Sequence, residues 1–237
     1  ISTGVSAFAA ALVIGKRHGF TESAIEPHDI RVMLLGAGLL WFGWFGFNAG
    51  SALASGKLAA SAFIVTHISA SSAAVTWMIV SWIRNGKPSV VGIATGAIAG
   101  LGAITASAGF VDPISATIIG IAAGIISFFA IEFKTKMGFD DSLDVWAIHG
   151  VGGTWGVLAV GLFSQLSINP NGANGLFFGN INLLELQMVG IAVTWIYSFI
   201  VTVILLKIID KIMGLRVSKE DEMIGMDITQ HGERIPV

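Results

Sequence analysis

Cysteine is absent from the 237 residues, which excludes a disulfide framework and a thiolate metal site. Charge is scarce as well. Lys, Arg, Asp and Glu together make up 12% of the chain, whereas 54% is hydrophobic; soluble domains carry about 25% charged residues. There are 5 prolines against 30 glycines, so the chain is neither collagen-like nor a disordered polymer. Glycine and alanine at this density suit helices that pack closely inside lipid. A net charge of −2, with the charges confined to loops, says nothing about partners; no nucleic-acid partner is expected. These absences leave an integral membrane protein.

Apolar runs of about 18 to 26 residues, long enough to span roughly 30 Å of hydrocarbon, fall at residues 32–54, 58–83, 89–110, 114–131, 143–163 and 186–206. A seventh run, 1–14, is cut short by Lys16 and Arg17, and about 14 residues cannot cross alone. It has neither an initiator Met nor the basic stretch that opens a signal peptide. It reads as the second half of a helix that begins outside this sequence.

Treating that run as one crossing lets the loops be assigned alternately to two sides. One side receives Lys16, Arg17, Arg31, Arg84, Lys87, Lys134, Lys136, Lys207, Lys211, Arg216, Lys219 and Arg234; the other receives Lys57 alone. Basic residues gather on the cytoplasmic side. The expectation is therefore a cytoplasmic C-terminus and an outward-facing loop at 164–185. The chain divides into a truncated helix (1–14), a transmembrane domain (15–206), and the end of the last helix with a charged tail (207–237). Gly92, Gly96 and Gly100, like Gly120 and Gly124, recur every four residues and predict close helix contacts. No metal-ligand cluster, phosphate-binding glycine loop or nucleophile–base pair is visible, so neither a metal, a cofactor nor a membrane enzyme is expected.

Three features carry chemistry. His149 lies in an apolar run, where an ionisable residue usually faces a cavity or the bundle interior. With Val145, Ile148, Gly152 and Gly153 one helical turn away, burial disfavours the imidazolium. The neutral ring offers one donor and one acceptor, which suits a small polar solute; the alternative is a core histidine tied to a carbonyl. His67, among Ser61, Thr66, Ser69, Ser71 and Ser72, reads as structural, with hydroxyl partners at hand. In Trp41-Phe-Gly-Trp-Phe-Gly-Phe-Asn-Ala-Gly-Ser51, helical spacing puts Trp44, Phe47 and Ser51 on one face. Such a stripe is more often packing, yet aromatic faces also hold cations, for about 0.5 to 2 kcal/mol. Asp144 reads as a capping or pore-mouth carboxylate.

Together the motifs Gly43-Trp-Phe-Gly-Phe-Asn-Ala-Gly-Ser51, Gly96-Ala-Ile-Ala-Gly-Leu101, Asp144 with His149-Gly-Val-Gly-Gly153, and a tail with Gly214-Leu-Arg-Val217, Gly225-Met-Asp227 and His231-Gly232-Glu233 resemble the ammonium transporter family (Amt/Mep/Rh), its archaeal and bacterial branch above all. The resemblance implies an all-α polytopic membrane fold of eleven helices, two inverted five-helix repeats and a final long helix, of which this chain holds about six and a half, assembled as a homotrimer. It implies that His149 is the second histidine of a pore pair, whose first member would precede Ile1. Phe47 becomes a pore gate, Trp44 its neighbour, Ser51 an outer recruitment hydroxyl, and Asp144 and Asp141 acidic residues at the cytoplasmic end of the histidine helix. Arg216, Gly225, Asp227, His231, Gly232 and Glu233 become a regulatory tail, with a PII-type signalling protein as its partner. The implied activity is transport of ammonium or methylammonium across the cell membrane; a gas channel of the Rh type and an ammonium sensor are the alternatives. The family often has proline where this chain has Ala106, which leaves the turn there to be determined.

Overall fold

The computed structural model describes residues 1–20 and 27–233; Arg234, assigned above to the cytoplasmic side, lies outside the described residues. Regular structure among the described residues is entirely helical. Helices α1 (Ser2–Ile14), α2 (Ile30–Gly50), α3 (Lys57–Asn85), α4 (Val90–Thr105), α5 (Pro113–Met137), α6 (Gly152–Phe163) and α7 (Ile181–Met213) form the bundle. A π-turn, Trp146–Val151, leads into α6, and two short helices, α8 (Lys219–Ile224) and α9 (Met226–His231), form the tail. Five segments are long and apolar enough to cross a membrane: α2, α3, α5, the π-turn with α6, and α7.

The glycine stripes do what their spacing predicts. A Cβ on Gly96 would lie 2.9 Å from the Ala73 carbonyl, and one on Gly100 would lie 2.5 Å from the Ser69 carbonyl. From the other side, Gly120 closes on that same Ser69 carbonyl and Gly124 on Ala73. Two different helices thus grip one stretch of α3, and the Ser69 hydroxyl adds a 2.9 Å hydrogen bond to the Gly100 carbonyl. Inside lipid such close packing and interhelical hydrogen bonds replace the hydrophobic effect as the force between helices.

Among the runs that differ from their helices, two carry a physical reason. The run 89–110 is helical only to Thr105. There the chain turns, with Ser107 N–H bonded to the Ile104 carbonyl and Phe110 N–H to the Ser107 carbonyl, each at 2.9 Å. The turn needs no proline. The run 186–206 extends in both directions to the 33 residues of α7, about 50 Å at 1.5 Å per residue, because polar residues at its ends continue the helix past the apolar stretch.

Loops that charge alone placed on one side do share one end of the bundle. Arg84 pairs with Glu132 at 3.1 Å, joining the ends of α3 and α5. Arg17, just after α1, makes two side-chain bonds to Asp140, at 2.7 and 2.8 Å. Burial works to raise the Asp140 carboxyl, but the hydrogen bonds and charge of Arg17 outweigh it and hold the group below its ordinary value.

Candidate functional site

Trp44 and Phe47 stand one turn apart on α2, their rings edge-on at 5.9 Å. Trp44 is locked at its polar edge: Nε1 donates to Thr105 Oγ1 at 2.7 Å. The Thr105 hydroxyl in turn donates to the Leu101 carbonyl at 2.7 Å. Held this way, the indole lies within 3° of parallel to the His149 ring, with centroids 6.4 Å apart. Phe47 is 63% exposed. Ser51 follows the helix and donates its hydroxyl proton to the Phe47 carbonyl at 2.7 Å, so its oxygen is left to accept.

His149 does not sit in a regular helix, and the neighbours expected one α-turn away are corrected accordingly. It lies in the π-turn, where Gly152 N–H reaches back five residues to the Ala147 carbonyl; such turns recur at functional sites. Tertiary contacts fix both ends of it. At the start, buried Asp141 Oδ2 accepts Trp146 N–H at 2.7 Å. Near the other end, Gly150 lies so close to Gly4 that a Cβ on Gly4 would overlap the Gly150 nitrogen. Gly102 leaves room for the imidazole, since a Cβ there would come to 3.6 Å from His149 Nδ1.

The two acidic residues divide their roles. Asp141, not Asp144, caps the segment. Asp144 adopts φ +55° and pairs with Lys134 Nζ at 2.6 Å, so its carboxylate is turned away from the helix start. Burial raises the Asp144 carboxyl above its ordinary value, with Lys134 pulling the other way. Lys134 also donates to the Asp141 carbonyl at 2.6 Å, clamping α5 to the approach to His149.

His67 is corrected as well. It faces outward and packs on Trp41 and Phe45, with centroids at 5.5 and 6.1 Å, rather than bonding the hydroxyls near it in sequence. Thr66 and Ser69 turn inward instead.

In the tail, Arg216 makes two bonds to Glu222, at 2.9 and 3.0 Å, and approaches the Ile14 carbonyl at 3.5 Å. Gly225, at φ +112°, joins α8 to α9. Asp227 lies in the first turn of α9 and its carbonyl accepts Glu233 N–H at 2.9 Å, while His231 ends the helix and Gly232, at φ +69°, caps it. Glu222 also ties this tail to the bundle, accepting His18 N–H at 2.8 Å.

The structure thus brings Trp44 beside both Phe47 and His149, leaves Ser51 one turn beyond Phe47 at the end of α2, puts Asp141 and Asp144 before the π-turn, and ties the tail to the end of α1 through Arg216 and Glu222. Sequence reasoning missed Thr105, Lys134 and Glu222 as positioning groups. Thr105 was visible only as part of a turn, and the other two only as charges. No group of three His, Asp or Glu side chains that could hold a metal occurs among the described residues.

These features define a multi-pass helical membrane protein. A family profile, the Ammonium Transporter Family, matches residues 1–235; the chain belongs to that family. It is 52% identical over 233 residues to ammonium transporter Amt1 of Archaeoglobus fulgidus, covering 98% of this chain and 59% of the relative. It resembles the crystal structure of Candida albicans Mep2 at TM-score 0.88 and 37% identity, covering 97% of this chain and 53% of that one. A solved structure described as a sensor Amt protein matches at TM-score 0.87 and 32% identity, over 96% of this chain and 56% of that one. The chain therefore spans less than two thirds of the length of these relatives.

Proposed function

We propose that the whole protein carries ammonium across the cell membrane. The observation that supports this most is the parallel pair of Trp44 and His149 beside the exposed ring of Phe47, in a chain of this family. An ammonium ion is drawn to the aromatic faces, for about 0.5 to 2 kcal/mol, and donates to the Ser51 oxygen, whose own proton is already committed. Taking the bare charge into an apolar passage costs far more than such a site returns. The proton is left at the mouth, and neutral ammonia moves past His149, hydrogen-bonding to a ring with one donor and one acceptor. The basic end is the cytoplasmic one, with 164–185 outside and a homotrimer as the assembly.

Full-length protein in liposomes should take up labelled methylammonium well above protein-free vesicles, with ammonium competing. Light scattering of the same preparation should give the mass of three copies. Raised carbon dioxide permeability without methylammonium uptake would favour the gas-channel alternative.

A second, compatible role is that of the tail as a coupling element that a PII-type protein engages. Glu222, bonded to both His18 and Arg216, is the joint. Glu222→Ala in the full-length protein should release the tail and reduce both uptake and PII binding, leaving the folded yield unchanged. Unaltered uptake and affinity would leave the tail as a solvated end.

A further inference from the structure

His149 is followed by Gly150, Gly152 and Gly153, in a run that starts inside the π-turn. Glycine has the widest choice of backbone torsions, so this stretch cannot fix its own course. The direction of the imidazole depends on what grips the backbone just after it, and the grip falls on Gly150. On its amide side, Gly4 of α1 packs against the Gly150 nitrogen. On its carbonyl side, Thr154 donates its hydroxyl proton to the Gly150 oxygen at 2.7 Å. The Thr154 oxygen in turn accepts the indole N–H of Trp195, on α7, at 2.9 Å.

This is the second tryptophan–threonine–carbonyl relay around His149. The first, from Trp44 through Thr105 to the Leu101 carbonyl, fixes the indole that lies parallel to the imidazole. The second fixes the backbone that carries the imidazole. Trp195 lies near the middle of α7, whereas membrane tryptophans gather at the two interfaces. At that depth no water is at hand for its N–H, and a partner inside the protein is required. The partner is a hydroxyl whose own proton ends one residue from His149. Helix α7 is itself held along α1, where the Thr202 and Ser6 hydroxyls bond at 2.9 Å and Phe199 packs on Phe8 with centroids 5.9 Å apart. The two grips on Gly150 therefore come from helices joined to each other, and they act as one clamp.

We propose that Trp195 is a positioning residue for the pore histidine, acting on His149 through the Thr154 hydroxyl and the Gly150 carbonyl. The proposal rests on the transport reading above. In the full-length protein, Trp195→Phe keeps a ring and removes the N–H, and Thr154→Val keeps the shape and removes the hydroxyl. Each should lower the maximal rate of methylammonium uptake per folded molecule about two- to ten-fold, the range that one net hydrogen bond carries. The half-saturating concentration should stay the same, because the mouth at Phe47 and Ser51 is untouched. Combining the two should add nothing to the poorer single variant, since both break one relay. Thr154→Ser retains the hydroxyl and should keep the wild-type rate. The imidazole ¹⁵N signal of His149, identified as the one missing from His149→Leu, should shift in Trp195→Phe and Thr154→Val and stay in place in Thr154→Ser. A bond that only glues α6 to α7 would lower the folded yield and leave the rate per molecule and the signal at wild-type values, and that result would overturn the proposal. So would a fall in rate with an unmoved His149 signal. Should Trp195→Phe fail to fold, the valine and serine variants at Thr154 decide by the same readouts. A shifted signal in a protein that carries no methylammonium would sink the transport reading and leave the positioning role standing.

Discussion

Leucine in place of His149, in the full-length protein, is expected to change ammonium or methylammonium conduction by about ten-fold or more while the amount of folded protein stays the same. A solute crossing an apolar passage has given up its hydrogen bonds to water. A lost polar partner there is worth about 1 to 3 kcal/mol, and each 1.4 kcal/mol is about ten-fold. The fold has little stake in the imidazole. The π-turn is held by Asp141 at Trp146 and by the contact of Gly4 with Gly150, and neither uses the ring. Nor does the His149 imidazole make a hydrogen bond within the chain among the described residues. Uptake measures the change in flux, and current recordings reveal whether ions begin to pass. Wild-type uptake and currents together would reduce His149 to a packing residue.

The second large effect is expected at Phe47. Phe47→Ala should either abolish uptake or open a leak, because this ring stands 63% exposed beside the fixed indole of Trp44, where the proposed path would bring an incoming solute against it. Little folding stability should be lost with a side chain so exposed. Phe45 is the matched control, about 160° away around the same helix. It stacks on Phe63 at 4.0 Å, and removing it should cost about 0.5 to 1.5 kcal/mol of aromatic pairing beyond its buried area, with flux per folded molecule nearly intact. Measuring uptake and folded yield for both variants separates the two roles. Equal loss of transport and of folded protein at both positions would mean that the aromatic stripe is packing throughout.

Much of the architecture was legible in the sequence because its signals are local. Apolar runs marked the helices and glycines four apart marked the close contacts, as Gly100 and Gly120 against Ser69 demonstrate. Alternating basic loops paired the ends that Arg17–Asp140 and Arg84–Glu132 join. Helical periodicity put Trp44 and Phe47 on one face. What the sequence left open depends on groups far apart in the chain. The run 143–163 reads the same whether His149 lies in an α-turn or a π-turn. Asp141, Lys134 and the backbone of Gly4 fix its frame, and no periodicity reports those contacts. Asp144 stayed open between a cap and a pore-mouth carboxylate because two carboxylates three residues apart look alike until one of them finds Lys134. His67 was given hydroxyl partners by proximity, whereas Thr66 beside it points about 100° away, into the core. Asn48 looked like a polar residue in an aromatic motif until Thr66 fixed the direction of its amide. Hydropathy and period are properties of a segment and survive in the bare sequence. The orientation of a proton or a ring is set by partners on other helices, and only the folded bundle brings those together.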